Sequence, residues 1–225
     1  MLEPTVDSLP AAASVSTVPV IHAVTSDEIV LRPDFIDVAC AVMAALGARG
    51  ALHLRAGRIS AARLQTLAGG LEAAQAVTSA WLVVNDRVDL ALGARARGVQ
   101  LTSRSLRVAD ARRAAPALSI GASVHSLDEA RAAAREGATW LVAGHVFATS
   151  SHPGEEGRGL GFLRAVTRAV PIPVIAIGGV RPEHCRLLRE SGAHGLAVIR
   201  GIWDAPNAER AASDYLSAYD DAAGA

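Results

Sequence analysis

Eight short runs of apolar residues recur along the chain, and each is followed by a segment with helical spacing of apolar and polar positions. The runs are Val18–Val24, Ala51–Arg55, Trp81–Asn85, Gly98–Thr102, Ile120–Val124, Trp140–Gly144, Pro173–Gly178 and Gly195–Arg200. Their last residues are between 17 and 34 positions apart, close to the length of one strand–helix unit. Because the runs are almost continuously apolar rather than alternating, they predict parallel strands that are covered by helices.

Two of the intervening segments show helix signals clearly. Apolar residues three or four positions apart share one face of the first helix: Phe35, Val38, Val42 and Leu46. In the fifth, Ser126 and Glu129 form an S-x-x-E pattern, in which the serine caps the helix start and the glutamate reaches back to the backbone.

This alternation of strands and helices favours a closed (β/α)8 barrel, a TIM barrel, over residues 18–225. The alternative is an open doubly wound sheet. That fold would carry a G-x-G-x-x-G turn after the first strand, and no such turn follows Val24. Residues 1–17 are rich in Pro, Ser, Thr and Ala and are expected to form a flexible N-terminal tail.

The charged residues narrow the class of function. The 225 residues include 22 acidic and 22 basic residues, and all the basic ones are Arg, so the formal net charge is zero. A chain without lysine cannot be a Schiff-base aldolase, cannot anchor pyridoxal phosphate and has no Walker A lysine. A pI of about 7.1 argues against binding to nucleic acid or to an anionic membrane.

Other features of the sequence predict a cytoplasmic protein. No apolar run approaches the roughly 20 residues of a membrane span, and the N-terminus lacks the basic start and apolar centre of a signal peptide. Two cysteines, Cys40 and Cys185, fall in helix-like segments and are expected to be buried, reduced thiols. The sequence leaves open whether the protein forms a homo-oligomer.

In a TIM barrel the active site is built at the carboxyl ends of the strands. The loops after strands seven and eight commonly bind phosphate through backbone N–H groups. The residues predicted to do so here are Gly178, Gly179, Ile199, Arg200 and Gly201. Glycine lets the backbone approach an anion closely, and arginine adds a bidentate charge. The alternative is that Gly178 and Gly179 form only a tight turn before a helix.

Two histidines at strand ends are candidates for acid–base chemistry. His125 follows the fifth strand and His145 follows the sixth. Imidazole can take and return a proton in one turnover near neutral pH, although either ring could instead be hydrogen-bonded in the barrel wall. Asp86, after the third strand, is expected to cap the next helix or to pair with Arg55 or Arg87. A metal role is disfavoured because the loop after strand four offers no second carboxylate.

Five motifs occur in order along the chain. They are Asn85-Asp86-Arg87-Val88-Asp89-Leu90-Ala91-Leu92, Gly98-Val99-Gln100-Leu101, Gly121-Ala122-Ser123-Val124-His125-Ser126, Gly144-His145-Val146-Phe147-Ala148-Thr149 and Ala176-Ile177-Gly178-Gly179-Val180. Together they resemble the thiamine phosphate synthase superfamily over about residues 18–205. One branch, the synthases, joins a pyrimidine pyrophosphate to a thiazole phosphate with Mg²⁺. The other branch, the thiazole tautomerases, aromatises a carboxythiazole phosphate.

Three positions depart from what the resemblance implies for a synthase. The synthase pattern has lysine where this chain has Gly57 and His152, and a second magnesium carboxylate where it has Arg104. A chain without those groups would stabilise a departing pyrophosphate poorly. The segment Glu156-Gly157-Arg158-Gly159, by contrast, resembles the tautomerase branch. Tautomerase relatives have serine at the position of Arg200, so this residue departs from that branch.

The prediction is therefore a thiazole tautomerase of thiamine biosynthesis. The resemblance implies that His125 moves a proton from the ring carbon that bears the carboxylate to the exocyclic carbon, with no cofactor and no metal. The residues predicted to bind the phosphorylated thiazole are Arg55, Asn85, Ser123, His145, Thr149, Gly178, Gly179, Ile199, Arg200 and Gly201. The alternatives are a thiamine phosphate synthase, a non-catalytic regulator that binds thiazole or thiamine phosphates, and an unrelated phosphosugar isomerase.

Overall fold

Eight parallel strands form a closed barrel in chain order, with β8 paired to β1. This computed structural model describes residues 18–150 and 153–222. The strands are β1 Ile21–Val24, β2 Gly50–Leu54, β3 Trp81–Asn85, β4 Gly98–Leu101, β5 Ser119–Val124, β6 Trp140–Gly144, β7 Val174–Ile177 and β8 Gly195–Val198. The predicted TIM barrel is confirmed. The predicted tail at residues 1–17 and His152 lie outside the described residues.

Helices cover the outside of the barrel. They are α1 Asp27–Val30, α2 Phe35–Leu46, α3 Ala61–Thr78, α4 Val88–Gly93, α5 Val108–Ala114, α6 Leu127–Arg135, α7 Gly159–Ala169, α8 Cys185–Glu190, α9 Arg200–Trp203 and α10 Ala208–Asp221. Because α9 begins at Arg200, the eighth strand ends earlier than predicted, at Val198. Within the described residues, no helix has both the length and the apolar character needed to cross a membrane.

Apolar side chains pack in two layers, one between strands and helices and one inside the barrel. In the outer layer α2 buries Phe35, Val42 and Leu46 as predicted, while Val38 is only half-buried and Met43 is fully buried in its place. The inner layer consists of Val18, Val24, Ala51, Trp81, Val83, Trp140, Val142, Ile175 and Ala197. Several of these inner side chains form the floor of the cavity described below.

Both cysteines have free thiols, but their burial differs from the prediction in one case. Cys185 on α8 is buried, whereas Cys40 on α2 is only partly buried. Burial raises the pKa of Cys185 to about 11. This thiol is therefore protonated near neutral pH and behaves as a small apolar side chain.

Candidate active site

A cavity of about 970 Å³ opens at the carboxyl ends of the strands. Every residue predicted to transfer a proton or to bind substrate lines it: His125, Arg55, Asn85, Ser123, His145, Thr149, Gly178, Gly179, Ile199, Arg200 and Gly201. The parallel strands bring these residues together, although they are spread over most of the chain. Their individual roles stay predictions.

The cavity is rich in cationic side chains. Arg55, Arg104, Arg181 and Arg200 line it together with three histidines, and no described residue of the lining is Asp or Glu. Guanidinium groups bind carboxylates and phosphates through paired hydrogen bonds. A cavity of this charge is suited to a ligand that carries more than one negative group.

Two charged side chains hold His125 at the cavity edge, just after β5. Glu129 Oε2 accepts a hydrogen bond from the His125 backbone N–H at 2.6 Å and lies 3.5 Å from the ring Nδ1. Arg158 Nη1 donates to the His125 carbonyl oxygen at 2.7 Å. Glu129 therefore lies on the Nδ1 side of the ring, and no hydrogen bond among the described residues involves Nε2.

Glu129 is a residue of the site that sequence reasoning missed. The S-x-x-E pattern correctly predicts that Ser126 caps α6, since its Oγ accepts from Glu129 N at 3.1 Å. The carboxylate, however, bonds to the backbone of His125 rather than to that of Ser126. One glutamate therefore stabilises both the helix start and the residue predicted to be the acid–base group.

His145 is tied to the segment that follows it. Its backbone carbonyl accepts from Arg158 N at 2.9 Å, and its Nε2 lies 3.2 Å from the carbonyl oxygen of Glu156. A carbonyl oxygen only accepts, so Nε2 carries the hydrogen in this contact. The ring is buried and lines the cavity, so it supports the loop after β6 while facing the ligand space.

The two predicted phosphate loops are neighbours because β7 and β8 pair. Gly178 and Gly179 have φ values of +100° and +63°, in the region that favours glycine. A Cβ on Gly179 would overlap the Ala148 carbonyl oxygen and lie 2.9 Å from Phe147 Cβ. Backbone conformation and close neighbours both restrict Gly179 to glycine.

Tyr215 of α10 supports these loops and was also missed from the sequence. Its buried hydroxyl donates to the Val180 carbonyl oxygen at 3.0 Å, and a Cβ on Gly201 would overlap that hydroxyl. Burial raises the pKa of Tyr215 to about 12, so the group remains a donor near neutral pH. The helical pattern around Tyr215 marks only a buried face, and no local motif points to the loops.

Asp86 stabilises the loop after β4. Its Oδ1 accepts from Thr102 N at 3.2 Å, from Thr102 Oγ1 at 2.7 Å and from Ser105 Oγ. The expectation that Asp86 caps α4 is wrong, since Arg87 occupies the cap position. Pairing with Arg87 is also wrong, because Arg87 forms its ion pair with Asp89.

The hydrogen-bond donors and the arginine around Asp86 do not suit a magnesium ion. Mg²⁺ takes octahedral oxygen ligands, usually one or two carboxylates together with substrate phosphates. One oxygen of Asp86 is already shared by three donors, and Arg104 brings a positive charge into the cavity. Among residues 18–150 and 153–222, no cluster of three or more His, Cys, Asp or Glu side chains could hold a metal.

Two buried histidines form a hydrogen-bonded pair inside the barrel. His22 Nδ1 lies 2.7 Å from His53 Nε2, and His22 Nε2 lies 2.9 Å from the Pro19 carbonyl oxygen. Because that carbonyl only accepts, His22 carries its hydrogen on Nε2, and the neutral His53 donates from its own Nε2. Burial lowers the pKa of His22 to about 4 and that of His53 well below its usual value.

This buried histidine pair predicts a loss of stability in acid. The unfolded chain binds protons on these rings below about pH 6.5, whereas folded His22 stays neutral down to about pH 4. The free energy of unfolding is expected to fall by about 3 kcal/mol between these pH values from His22 alone, at about 1.4 kcal/mol per pKa unit. Urea titrations across this range would measure it. A His22→Gln variant should show a shallower fall, and an equal slope would contradict the prediction.

Residues 21–202, well over half of the chain, match the family described as thiamine monophosphate synthase. The chain belongs to this family. A thiamine-phosphate synthase of Pyrococcus furiosus is 41% identical over 131 residues, which is 58% of this chain and 63% of the relative. A putative thiamine-phosphate synthase 2 of Aquifex aeolicus is 36% identical over 148 residues, 66% of this chain and 80% of the relative.

A solved structure agrees with the family match. The thiamine phosphate pyrophosphorylase of Pyrococcus furiosus superposes with a TM-score of 0.79 and 29% identity, covering 92% of this chain and 98% of that one. The sequence alignment with the synthase of the same organism spans a little under two thirds of that relative.

Membership of the thiamine monophosphate synthase family confirms the resemblance at the level of the superfamily. It does not single out the tautomerase branch. The relatives named above are called synthases or pyrophosphorylases, which favours the synthase alternative over the tautomerase. The residues of the cavity, by contrast, include Arg104 where the synthase pattern has a carboxylate.

Proposed function

We propose that this member of the thiamine monophosphate synthase family is a thiazole tautomerase of thiamine biosynthesis. The observation that carries the proposal is the charge of the cavity: four arginines and His125 line it, and no carboxylate does among the described lining residues. Such a site suits a ligand with both a carboxylate and a phosphate. Tautomerisation needs a bound ligand and one well-placed acid–base group.

His125 carries the proton in this proposal. Its Nε2 takes the proton from the ring carbon that bears the carboxylate, and the electron pair of that C–H bond enters the ring. The exocyclic double bond moves into the ring as its electron pair moves onto the exocyclic carbon, which then takes the proton from His125 Nε2. The product is an isomer, so no electron or atom is gained overall. Glu129, 3.5 Å from Nδ1, stabilises the imidazolium while it holds the proton.

The substrate is held by its two anionic ends. Arg55 meets the carboxylate, and Thr25 Oγ1 fixes the arginine backbone by accepting from Arg55 N at 2.8 Å and donating to Arg55 O at 2.9 Å. The loops after β7 and β8 hold the phosphate through Gly178, Gly179, Ile199, Arg200 and Gly201, with Thr149 beside them. Anchoring both ends keeps the ring in one position relative to His125.

The names of the relatives favour a second candidate, a Mg²⁺-dependent thiamine phosphate synthase. That reaction must bind a pyrophosphate and stabilise it as it leaves. Gly57 and Arg104 stand where the synthase pattern has a cation and a metal carboxylate, and Oδ1 of Asp86 already accepts three hydrogen bonds. These residues are the reason for ranking the tautomerase first.

Metal removal separates the two candidates. Purified protein is expected to aromatise the carboxythiazole phosphate tautomer above the spontaneous rate, and equally well in EDTA and in Mg²⁺, because no step uses a metal. The absorbance of the aromatic product would be followed against a reaction without protein. Mg²⁺-dependent formation of thiamine phosphate from the two precursors would establish the synthase instead. Ligand binding without either reaction would indicate the regulatory protein.

A further inference from the structure

Two side chains that line the cavity, Gln100 and Ser123, form a hydrogen-bond chain of fixed direction with Trp140, which is buried behind them. Trp140 Nε1 lies 3.0 Å from Gln100 Oε1, and Gln100 Nε2 lies 3.0 Å from Ser123 Oγ. An indole N–H can only donate, so the Gln100 oxygen is the acceptor and its amide nitrogen is the donor. Gln100 therefore donates to the Ser123 hydroxyl oxygen.

Tight packing keeps Gln100 in this orientation. Trp140 is fully buried and Gln100 is 2% exposed. A flipped amide would place its NH₂ group against the indole N–H, and two donors would then face each other in a buried setting. Gly121 provides the room, because a Cβ there would overlap both Gln100 Oε1 and the Trp140 ring.

We infer that Gln100 and Trp140 fix the Ser123 hydroxyl as a hydrogen-bond donor towards a ring nitrogen of a heteroaromatic ligand. Since Ser123 Oγ accepts from Gln100, its own hydrogen is directed to another acceptor. Ser123 lines the cavity, and none of the hydrogen bonds among the described residues gives this hydrogen a protein acceptor. Gln100 and Trp140 are positioning residues, which act through Ser123.

The identity of the acceptor rests on the proposed function. Ser123 and His125 both line the cavity and are two residues apart, about 7 Å along an extended chain, with Ser123 inside β5 and His125 just after its end. In a thiazole, the carbon that bears the carboxylate is bonded to the ring nitrogen and the ring sulfur. Nitrogen accepts hydrogen bonds well and sulfur accepts them weakly. With that carbon at His125, the nitrogen is the ring atom suited to Ser123.

A pair of ligands tests this assignment without any turnover. Calorimetry would compare binding of the aromatic carboxythiazole phosphate with that of its thiophene analogue, in which CH replaces the ring nitrogen. Ser123→Ala is expected to weaken thiazole binding by about 3- to 10-fold, the usual range for one neutral hydrogen bond. Binding of the thiophene analogue should change by less than about 2-fold, because it offers no acceptor at that position.

Gln100→Glu tests the positioning role. Above the pKa of the new carboxyl group, which burial raises, the carboxylate accepts from both Trp140 and the Ser123 hydroxyl, so the lone pairs of Ser123 then face the ring. The preference of the protein for thiazole over thiophene should disappear. Gln75→Glu is the matched control, since Gln75 is also a buried, hydrogen-bonded glutamine but lies outside the cavity lining. Gln75→Glu should leave the preference for thiazole over thiophene unchanged. If a buried glutamate acted only by disturbing the structure, both variants would change the preference.

The binding comparison tests the role of Ser123 separately from the activity assay, which tests the proposed reaction. Equal losses for both ligands in Ser123→Ala, or no loss for either, would overturn the inference. If Gln100→Glu fails to fold, the Ser123→Ala comparison still decides. A selective loss in a protein that lacks tautomerase activity would support the donor and reject the proposed reaction. If wild-type protein binds neither ligand, the assignment of the ring nitrogen is wrong.

Discussion

Replacing His125 with alanine is expected to slow tautomerisation by about 100-fold or more, while the affinity for the phosphorylated product changes little. Proton transfer by a positioned side chain contributes at least about this factor, and His125 is the residue that takes and returns the proton in the proposed reaction. Its side chain is 51% exposed, so the substitution removes little buried surface and should leave the fold stable. Steady-state kcat and KM, with product binding by calorimetry, would measure both effects.

His194→Gln is the matched control for this variant. His194 directly precedes β8, at the end of the barrel away from the cavity, and its Nε2 lies 2.8 Å from the Val18 carbonyl oxygen. Glutamine keeps a donor at that position, and the rate should stay within about 2-fold of wild type because His194 lies at the opposite end of the barrel from the cavity. An unchanged rate in His125→Ala would remove His125 from the mechanism.

The fold was predictable because burial gives the strands of a parallel barrel a recognisable apolar pattern in the sequence. Strands that are covered on both faces are mostly apolar along their length, and segments such as Trp81–Asn85 and Trp140–Gly144 have that pattern. The ends of strands are harder to predict, because apolar residues continue past the last paired position. Ile199 extends the apolar run beyond β8, although Arg200 already begins α9.

The members of the site were predictable from their positions, but many of their partners were not. A residue that follows a buried strand must lie at the mouth of the barrel, which was enough to place His125 and Arg55. Contacts between distant residues leave no local pattern. His22 and His53 are 31 residues apart, and the bond between them depends on the pairing of β1 and β2.

Sequence patterns also do not predict which of several nearby partners a side chain will bond to. Glu129 stands where a capping box is expected, and its carboxylate instead accepts from the backbone N–H of His125, one residue before the cap. Asp86 likewise had several plausible partners in its own neighbourhood. It bonds to Thr102 and Ser105 across the next strand, which only the three-dimensional structure brings within reach.

Gly179→Ala is expected to distort the loop after β7, which is proposed to bind the phosphate. The distortion should exceed that caused by replacing any exposed side chain of this loop. A φ of +63° costs an alanine about 1–2 kcal/mol, and the new Cβ would overlap the Ala148 carbonyl oxygen. The turn must then move, and the backbone groups that are proposed to bind the phosphate move with it. Affinity for the carboxythiazole phosphate should fall at least about 10-fold, since one hydrogen bond to a charged group is worth roughly 1.5–3 kcal/mol.

Two other glycines separate backbone strain from overlap. Gly154 also has a positive φ, +81°, but a Cβ there would meet nothing within 4 Å, so Gly154→Ala introduces strain alone. Gly161 lies in α7 with equally open space and ordinary φ, so Gly161→Ala should stabilise the helix by roughly 0.5–1 kcal/mol. Phosphate affinity should fall only in Gly179→Ala. An equal fall in Gly154→Ala would mean that general loosening, and not the position of the loop after β7, controls phosphate binding.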